Sequence, residues 1–180
     1  MSKKKSHLSK KQLIERLKDI KLLALDVDGV LTDDSIYFGP DGFEMKRFNI
    51  SDGFFMALVM RTGLEIAIVS GRPSPATTSR AKDLKLKYVS QQMVDKRVQI
   101  MPFLDELKLG LEQVAFIGNE ILDIPLAKEV GLSIAVADSA QDLIDAVDYV
   151  TKSKGGKGAV REIIKLYFVS QNIDPIDLIS

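Results

Sequence analysis

The stretch Lys21-Leu22-Leu23-Ala24-Leu25-Asp26-Val27-Asp28-Gly29-Val30-Leu31-Thr32-Asp33 decides how this chain is read. The apolar run Leu22 to Leu25 has the pattern of a strand buried on both faces, and it ends in two carboxylates one residue apart. In extended backbone, residues i and i+2 point to the same side, so Asp26 and Asp28 would share one small volume. Two anions held that close raise each other's energy unless a cation joins them. Oxygen-only ligation suits a hard ion such as Mg²⁺, and an aspartate beside such an ion can accept a phosphoryl group as a nucleophile. The plainer reading is that Asp28-Gly29 only turns the chain after a strand. The segments downstream favour the first reading.

Composition limits what surrounds that loop. A chain of 180 residues with 46% hydrophobic content can bury one sizeable core, and a single domain is expected. The 25 basic residues balance the 25 acidic ones, so no net field recruits nucleic acid or an anionic membrane. The lack of cysteine excludes disulfides, thiolate catalysis and cysteine zinc sites, and fits a reducing compartment. No apolar stretch approaches the ~18 residues that span a bilayer. Met1 to His7 is basic with no apolar segment behind it, so it reads as a solvated tail rather than a secretory signal. A cytoplasmic location is expected. His7, the single histidine, lies in that tail, which sets histidine acid–base chemistry aside.

Along the chain, β-like runs alternate with helical ones. The pattern predicts a helix over Leu8 to Leu17, the strand Leu22 to Leu25, and a helix Ser51 to Thr62 capped by Ser51 and closed by Gly63. A strand Leu64 to Val69, a helix from Pro73 through Leu84, a short strand Tyr88-Val89 and a helix Asp95 to Leu107 follow. Then come strand Val114 to Ile117, helix Ile121 to Val130, strand Ser133 to Val136, helix Asp138 to Ala146, strand Tyr149-Val150, and a last helix from Gly158. Near-continuous apolar strands separated by helices imply an α/β fold, a doubly wound, mostly parallel sheet covered on both faces. Ligands of such sheets bind beyond the carboxyl ends of the strands, where strand order reverses. The polar loops Asp26 to Asp33, Ser70 to Arg72 and Gly118 to Asp123 would meet there. The expected organisation is a basic tail and N-terminal helix over residues 1–20, a core over 21–170 and a C-terminal tail over 171–180.

One insertion breaks the alternation. Ser35 to Phe38 and Phe43 to Phe48 flank Gly39-Pro40-Asp41-Gly42, which reads as a type I turn in a β-hairpin over 35–48. Isolated hairpins are marginal in water, and this one carries Ile36, Tyr37, Phe38, Phe43, Met45 and Phe48. It needs a second surface, either its own domain or a neighbouring subunit; contact between subunits is preferred here. Most of the interval between Asp33 and Ser70 is hairpin and helix, too few residues for an independent domain.

Three further segments carry candidate chemistry. Ser70-Gly71-Arg72 follows a buried strand and precedes Pro73, so a hydroxyl, backbone N–H groups and a helix start can converge on an anion. Lys96 opens a helix, where a cation opposes the dipole, and an anionic partner would explain its placement. Gly118-Asn119-Glu120-Ile121-Leu122-Asp123 offers an amide and two carboxylates as metal ligands or supporting groups, or as ordinary acidic residues of a helix start. Gly155 to Gly158 lacks the spacing of a nucleoside-triphosphate loop.

In this order, the segments resemble the four motifs of the haloacid dehalogenase superfamily of phosphatases: Asp26 to Thr32 the first, Ser70 the second, Lys96 the third and Gly118 to Asp123 the fourth. The resemblance implies a Rossmann-like core, Mg²⁺ as cofactor, Asp26 as nucleophile and Asp28 as the acid and then the base. It implies Ser70 and Lys96 around the transferred phosphoryl group, and Asp26, Asp28, Asn119 and Glu120 as the metal set. Gly39 to Gly53 and Gly155 to Glu162 are similar to the capless 3-deoxy-D-manno-octulosonate 8-phosphate phosphatases. That resemblance implies a sugar-acid phosphate substrate, a role in lipopolysaccharide precursor synthesis, and a homotetramer through the hairpins with a neighbour closing each site. The segments matching its substrate contacts are Asn49, Ile50, Ser51, Asp52, Gly53, Arg72 and Arg80; the arginines suit a carboxylate. The chain departs from the family at Asn119-Glu120, where two aspartates are usual. That leaves open which of Asn119, Glu120 and Asp123 would touch the metal, and two alternatives: a nononate 9-phosphate substrate, or a catalytically weakened, oligomeric sugar-acid-binding protein. Activity is favoured, because unpaired buried carboxylates are costly to keep.

Overall fold

Leu22–Leu25 forms the central strand because every one of its side chains can be buried, and all four are. The computed structural model describes residues 6–93 and 95–179; Met1 to Lys5 of the expected tail, Val94 and Ser180 lie outside them. The described elements run α1 (Lys10–Leu17), β1 (Leu22–Leu25), β2 (Tyr37–Phe38), β3 (Glu44–Met45), α2 (Ile50–Met60), β4 (Glu65–Ser70), α3 (Pro75–Asp83), β5 (Tyr88–Gln91), α4 (Lys96–Leu107), β6 (Val114–Gly118), α5 (Ile124–Ala127), β7 (Leu132–Ala135), α6 (Gln141–Ile144), β8 (Tyr149–Val150) and α7 (Ala159–Ser170). Six strands pair in parallel in the order β5-β4-β1-β6-β7-β8. The order reverses around β1, so the carboxyl ends of β1, β4 and β6 lie side by side.

Strand alternation sends neighbouring residues to opposite layers. Leu23, Leu25, Ile66, Ile68, Ala115 and Ile117 pack on the face covered by α1, α2, α3 and α7. Leu22, Ala24, Ala67, Val69, Val114 and Phe116 pack on the face covered by α4, α5 and α6. Each fully buried large side chain of this kind contributes about 1.5–3 kcal/mol.

Several boundaries move, each for a local reason. Helix α1 begins at Lys10, where Ser9 and Gln12 cap each other reciprocally. Helix α2 is capped by Asn49, not Ser51: its Oδ1 accepts the N–H groups of Ser51 and Asp52. Helix α3 starts at Pro75 behind a Ser74 cap, leaving Pro73 in the loop. The helix expected over 121–130 divides into a 3-10 turn Ile121–Asp123 and the short α5. The helix expected over 138–146 contracts to α6. In the hairpin turn Asp41 takes φ 61° and ψ 20°, a left-handed conformation that type I turns do not use and that aspartate tolerates. His7 is not in a free tail. Its Nε2 lies 2.8 Å from the Ile144 carbonyl, and Leu8 N–H donates to Asp148 O at 2.7 Å. The C-terminal segment folds back, with Ile173 and Leu178 packed on the core and Arg61 donating to the Leu178 carbonyl.

Candidate active site

The Asp26 N–H donates to Ile117 O at 3.0 Å, so the chain follows β6 for one more residue before it turns. The carboxyl therefore emerges at the carboxyl edge of the sheet. The N–H groups of Val30, Leu31 and Thr32 then converge on the Val27 carbonyl at 3.2, 2.9 and 3.1 Å, and Gly29 takes φ 76°. Asp28 thus sits in a turn, not in the extended backbone the sequence suggested. It borders the same cleft as Asp26 nonetheless.

Three other strand ends bring in the rest. Ser70 at the end of β4 is buried, and its Oγ accepts the Arg72 N–H at 3.3 Å. Because α3 starts later than expected, this turn is a loop ahead of the helix and not its N-terminus. Lys96, first residue of α4, is buried with Nζ 3.0 Å from Asp26 Oδ1 and paired with Asp123 Oδ1. Two carboxylates thereby offset its unfavourable place on the helix dipole. Burial disfavours the Lys96 charge, but Asp26 and Asp123 outweigh it and raise its pKa. Burial pushes Asp26 up to about 7, against the lowering pull of Lys96.

Beyond β6, Asp123 Oδ2 accepts the N–H groups of Asn119 at 2.8 Å and Glu120 at 3.1 Å, folding the loop tightly. With Oδ1 on Lys96, both of its oxygens are engaged. Glu120 is exposed and its carboxylate accepts the Ile121 N–H at 3.0 Å. Asn119 is different: it is buried, Oδ1 has no hydrogen-bond partner, and it presses on the first loop so closely that a Cβ on Gly29 would fall 1.9 Å from Asn119 Nδ2. A buried orphan oxygen is costly unless something positive reaches it. Among the described residues no three His, Cys, Asp or Glu side chains form a metal-sized group; the third oxygen on offer is this amide. Asp26, Asp28 and Asn119 therefore fit a hard divalent cation better than a set that includes Glu120 or Asp123.

Sequence reading missed Lys46. Its side chain is fully buried, with Nζ 2.6 Å from Asp28 Oδ1 in an ion pair outside hydrogen-bond alignment, and 3.4 Å from Thr77 Oγ1. The signal was available in the i, i+2 spacing of Glu44 and Lys46 on a hairpin strand, which turns both to one side.

The expected substrate contacts divide. Arg72 borders the cleft and pairs with Glu44. The others have positions elsewhere in this chain. Asn49 caps α2, and Ile50 is 83% exposed and does not line the cleft. Ser51 Oγ accepts from Arg161 Nη1. Asp52, buried, accepts the N–H groups of Gly158 at 3.2 Å and Arg161 at 2.7 Å, tying α2 to the start of α7. Gly53 leaves room for Arg80, whose Nη2 would lie 2.0 Å from a Cβ there, and Arg80 itself holds Asp83 at 2.6 Å. The loop Gly155 to Gly158 backs the carboxylate loop: a Cβ on Gly155 would stand 1.7 Å from Gly29 O. The cleft has a volume of about 720 Å³ and is rimmed by exposed Met93, Ile121 and Leu122, a size suited to a small metabolite.

A carboxylate loop after the central strand, with the order β5-β4-β1-β6-β7-β8 around it, places the chain among the haloacid dehalogenase-like hydrolases; a family profile so described matches residues 87–164. Over 159 residues the chain is 39% identical to the 3-deoxy-D-manno-octulosonate 8-phosphate phosphatase of Escherichia coli (strain K12), covering 88% of this chain and 85% of that one. The crystal structure of the Yersinia pestis phosphatase of the same name shares 40% identity and a TM-score of 0.86, covering 89% of this chain and 86% of that one. The Moraxella catarrhalis phosphatase, solved with magnesium, phosphate and a KDO molecule, shares 33% identity and a TM-score of 0.85, covering 89% and 92%. The chain belongs to the 3-deoxy-D-manno-octulosonate 8-phosphate phosphatase family and is a phosphomonoester hydrolase.

Proposed function

We propose that this enzyme hydrolyses 3-deoxy-D-manno-octulosonate 8-phosphate to the free sugar acid and phosphate, as a cytoplasmic step in lipopolysaccharide precursor synthesis. What carries the reading is Asp26: buried at the end of the central strand and 3.0 Å from the Lys96 ammonium, in a chain 39% identical to a phosphatase of that name. An Asp26 carboxylate oxygen attacks phosphorus, and the bond from phosphorus to the sugar oxygen breaks. Asp28 gives its proton to that oxygen, then takes one from the water that hydrolyses the aspartyl phosphate. Lys96 and the Ser70 hydroxyl stand against the phosphoryl oxygens, where negative charge spreads in the transition state. Asp26, Asn119 and the loop at Asp28 would hold Mg²⁺, which supplies further positive charge there and leaves the Asp28 side chain to carry the proton.

The hairpin leaves Phe38 and Phe43 69% and 67% exposed, and assembly into a homotetramer through these faces is the reading that covers them. No helix among the described residues is long and apolar enough to cross a membrane.

Phosphate release from the octulosonate 8-phosphate and from a nononate 9-phosphate, each with Mg²⁺ and with chelator, tests the proposal. The expected result is release from the eight-carbon substrate that chelation abolishes. No release from either would favour the second reading, sugar-acid binding without turnover, for which the observation is the neutral amide of Asn119 at a position suited to a charged ligand.

A further inference from the structure

The hairpin strand β3 sends alternate residues to opposite sides. Met45 faces outward, whereas Glu44 and Lys46 turn in toward the cleft. There they complete a chain of alternating charge: Arg72 pairs with Glu44, Glu44 Oε1 lies 4.0 Å from Lys46 Nζ, and Lys46 Nζ lies 2.6 Å from Asp28. Glu44 is held from a third side by Ser74, whose Oγ donates to its Oε1 at 2.5 Å. Hydrogen bonds from Arg72 and Ser74 keep the Glu44 carboxyl below its usual range. Arg72 meets Glu44 through Nη2 alone. Its other terminal nitrogen, Nη1, is buried and has no hydrogen-bond partner.

A guanidinium presents donors on more than one edge, and an arginine already fixed by one edge loses less freedom when a second carboxylate binds the other. The negative charge of Glu44 is shared with Ser74 and Lys46, so Arg72 keeps its pull on an anion. We propose that Glu44 is a positioning residue that holds the Arg72 guanidinium at the edge of the cleft for the carboxylate of the substrate, and so sets the preference for acidic sugar phosphates. This rests on the sugar-acid phosphatase reading. Glu44 acts through Arg72 and does not touch the reacting atoms.

The test is the ratio of kcat/KM for 3-deoxy-D-manno-octulosonate 8-phosphate to kcat/KM for p-nitrophenyl phosphate, which carries no carboxylate. It is measured with Mg²⁺ in the wild type, Glu44→Gln, Glu44→Asp and Arg72→Met. The expected result is a ratio roughly tenfold lower in Glu44→Gln, expressed in KM more than in kcat, with a comparable or larger fall in Arg72→Met. Glu44→Asp, which withdraws the carboxylate by one methylene, falls between, and serves as the test if Glu44→Gln does not fold. A purely structural role would lower both rates together and leave the ratio where it was. If Arg72→Met lowers the ratio while the Glu44 variants leave it unchanged or raise it, the positioning role is overturned and the functional reading stands. If the wild type itself shows no preference for the sugar acid, the functional reading is overturned and the inference falls with it.

Discussion

Replacing Asp26 with asparagine should make the metal-free protein more stable while abolishing turnover. The carboxyl sits in a buried cleft that raises it from 3.8 to about 7, which at ~1.4 kcal/mol per pH unit is about 4 kcal/mol. The folded state therefore keeps a proton that the unfolded chain releases between those two values. Wild-type stability falls as pH rises through that window and levels off above the folded pKa. Asparagine has no proton to lose, so its advantage grows by roughly 2–3 kcal/mol between pH 5 and pH 8. Urea unfolding of both proteins in chelator, followed by circular dichroism at the two pH values, measures the difference. Added Mg²⁺ at 100 times its Kd should restore about 2.7 kcal/mol to the wild type and little to the variant. An Asp26→Asn protein no more stable than wild type at pH 8 in chelator would refute the reasoning that this carboxylate is held at a cost for chemistry.

Asn119→Asp adds ligand charge at an orphan oxygen and should tighten Mg²⁺ binding about tenfold by calorimetric titration; unchanged affinity would remove position 119 from the metal set. Gly155→Ala would drive a methyl to within 1.7 Å of the Gly29 carbonyl and should cost about 3 kcal/mol together with activity, whereas an unaltered thermal midpoint would contradict the close packing of the two loops. Asp52→Ala strips the acceptor from the Gly158 and Arg161 N–H groups and should cost about 2–3 kcal/mol in urea unfolding. Wild-type stability in that variant would show that α2 and α7 are held together by apolar contact alone.

The four central strands β1, β4, β6 and β7 were legible because burial on both faces leaves near-continuous apolar runs, as in Leu22 to Leu25 and Val114 to Ile117. Helix starts were less so. Ser51 and Asn49 are both good caps, and only the tertiary position of the chain selects Asn49. Asp26, Asp28, Ser70, Lys96 and Asn119 all reach one cleft, since each stands at the end of a strand or the start of a helix in an alternating pattern. The spacing of Glu44 and Lys46 puts them on one side of the hairpin, but that this side meets Arg72 and Asp28 depends on how the hairpin folds over the sheet, which local periodicity does not encode. The same holds for Asp52, whose partners at Gly158 and Arg161 are more than a hundred residues away.

The backing of the carboxylate loop by Gly155 and Gly156 has a consequence for biosynthesis. On the ribosome Asp26 emerges near the beginning of translation, but the glycine loop packed behind its own loop is made much later. A nascent or truncated polypeptide ending before residue 155 has the acidic pair without the scaffold that shapes it. Phosphate release is therefore expected only from chains that extend past Gly155 and Gly156 and so carry the packing behind this loop.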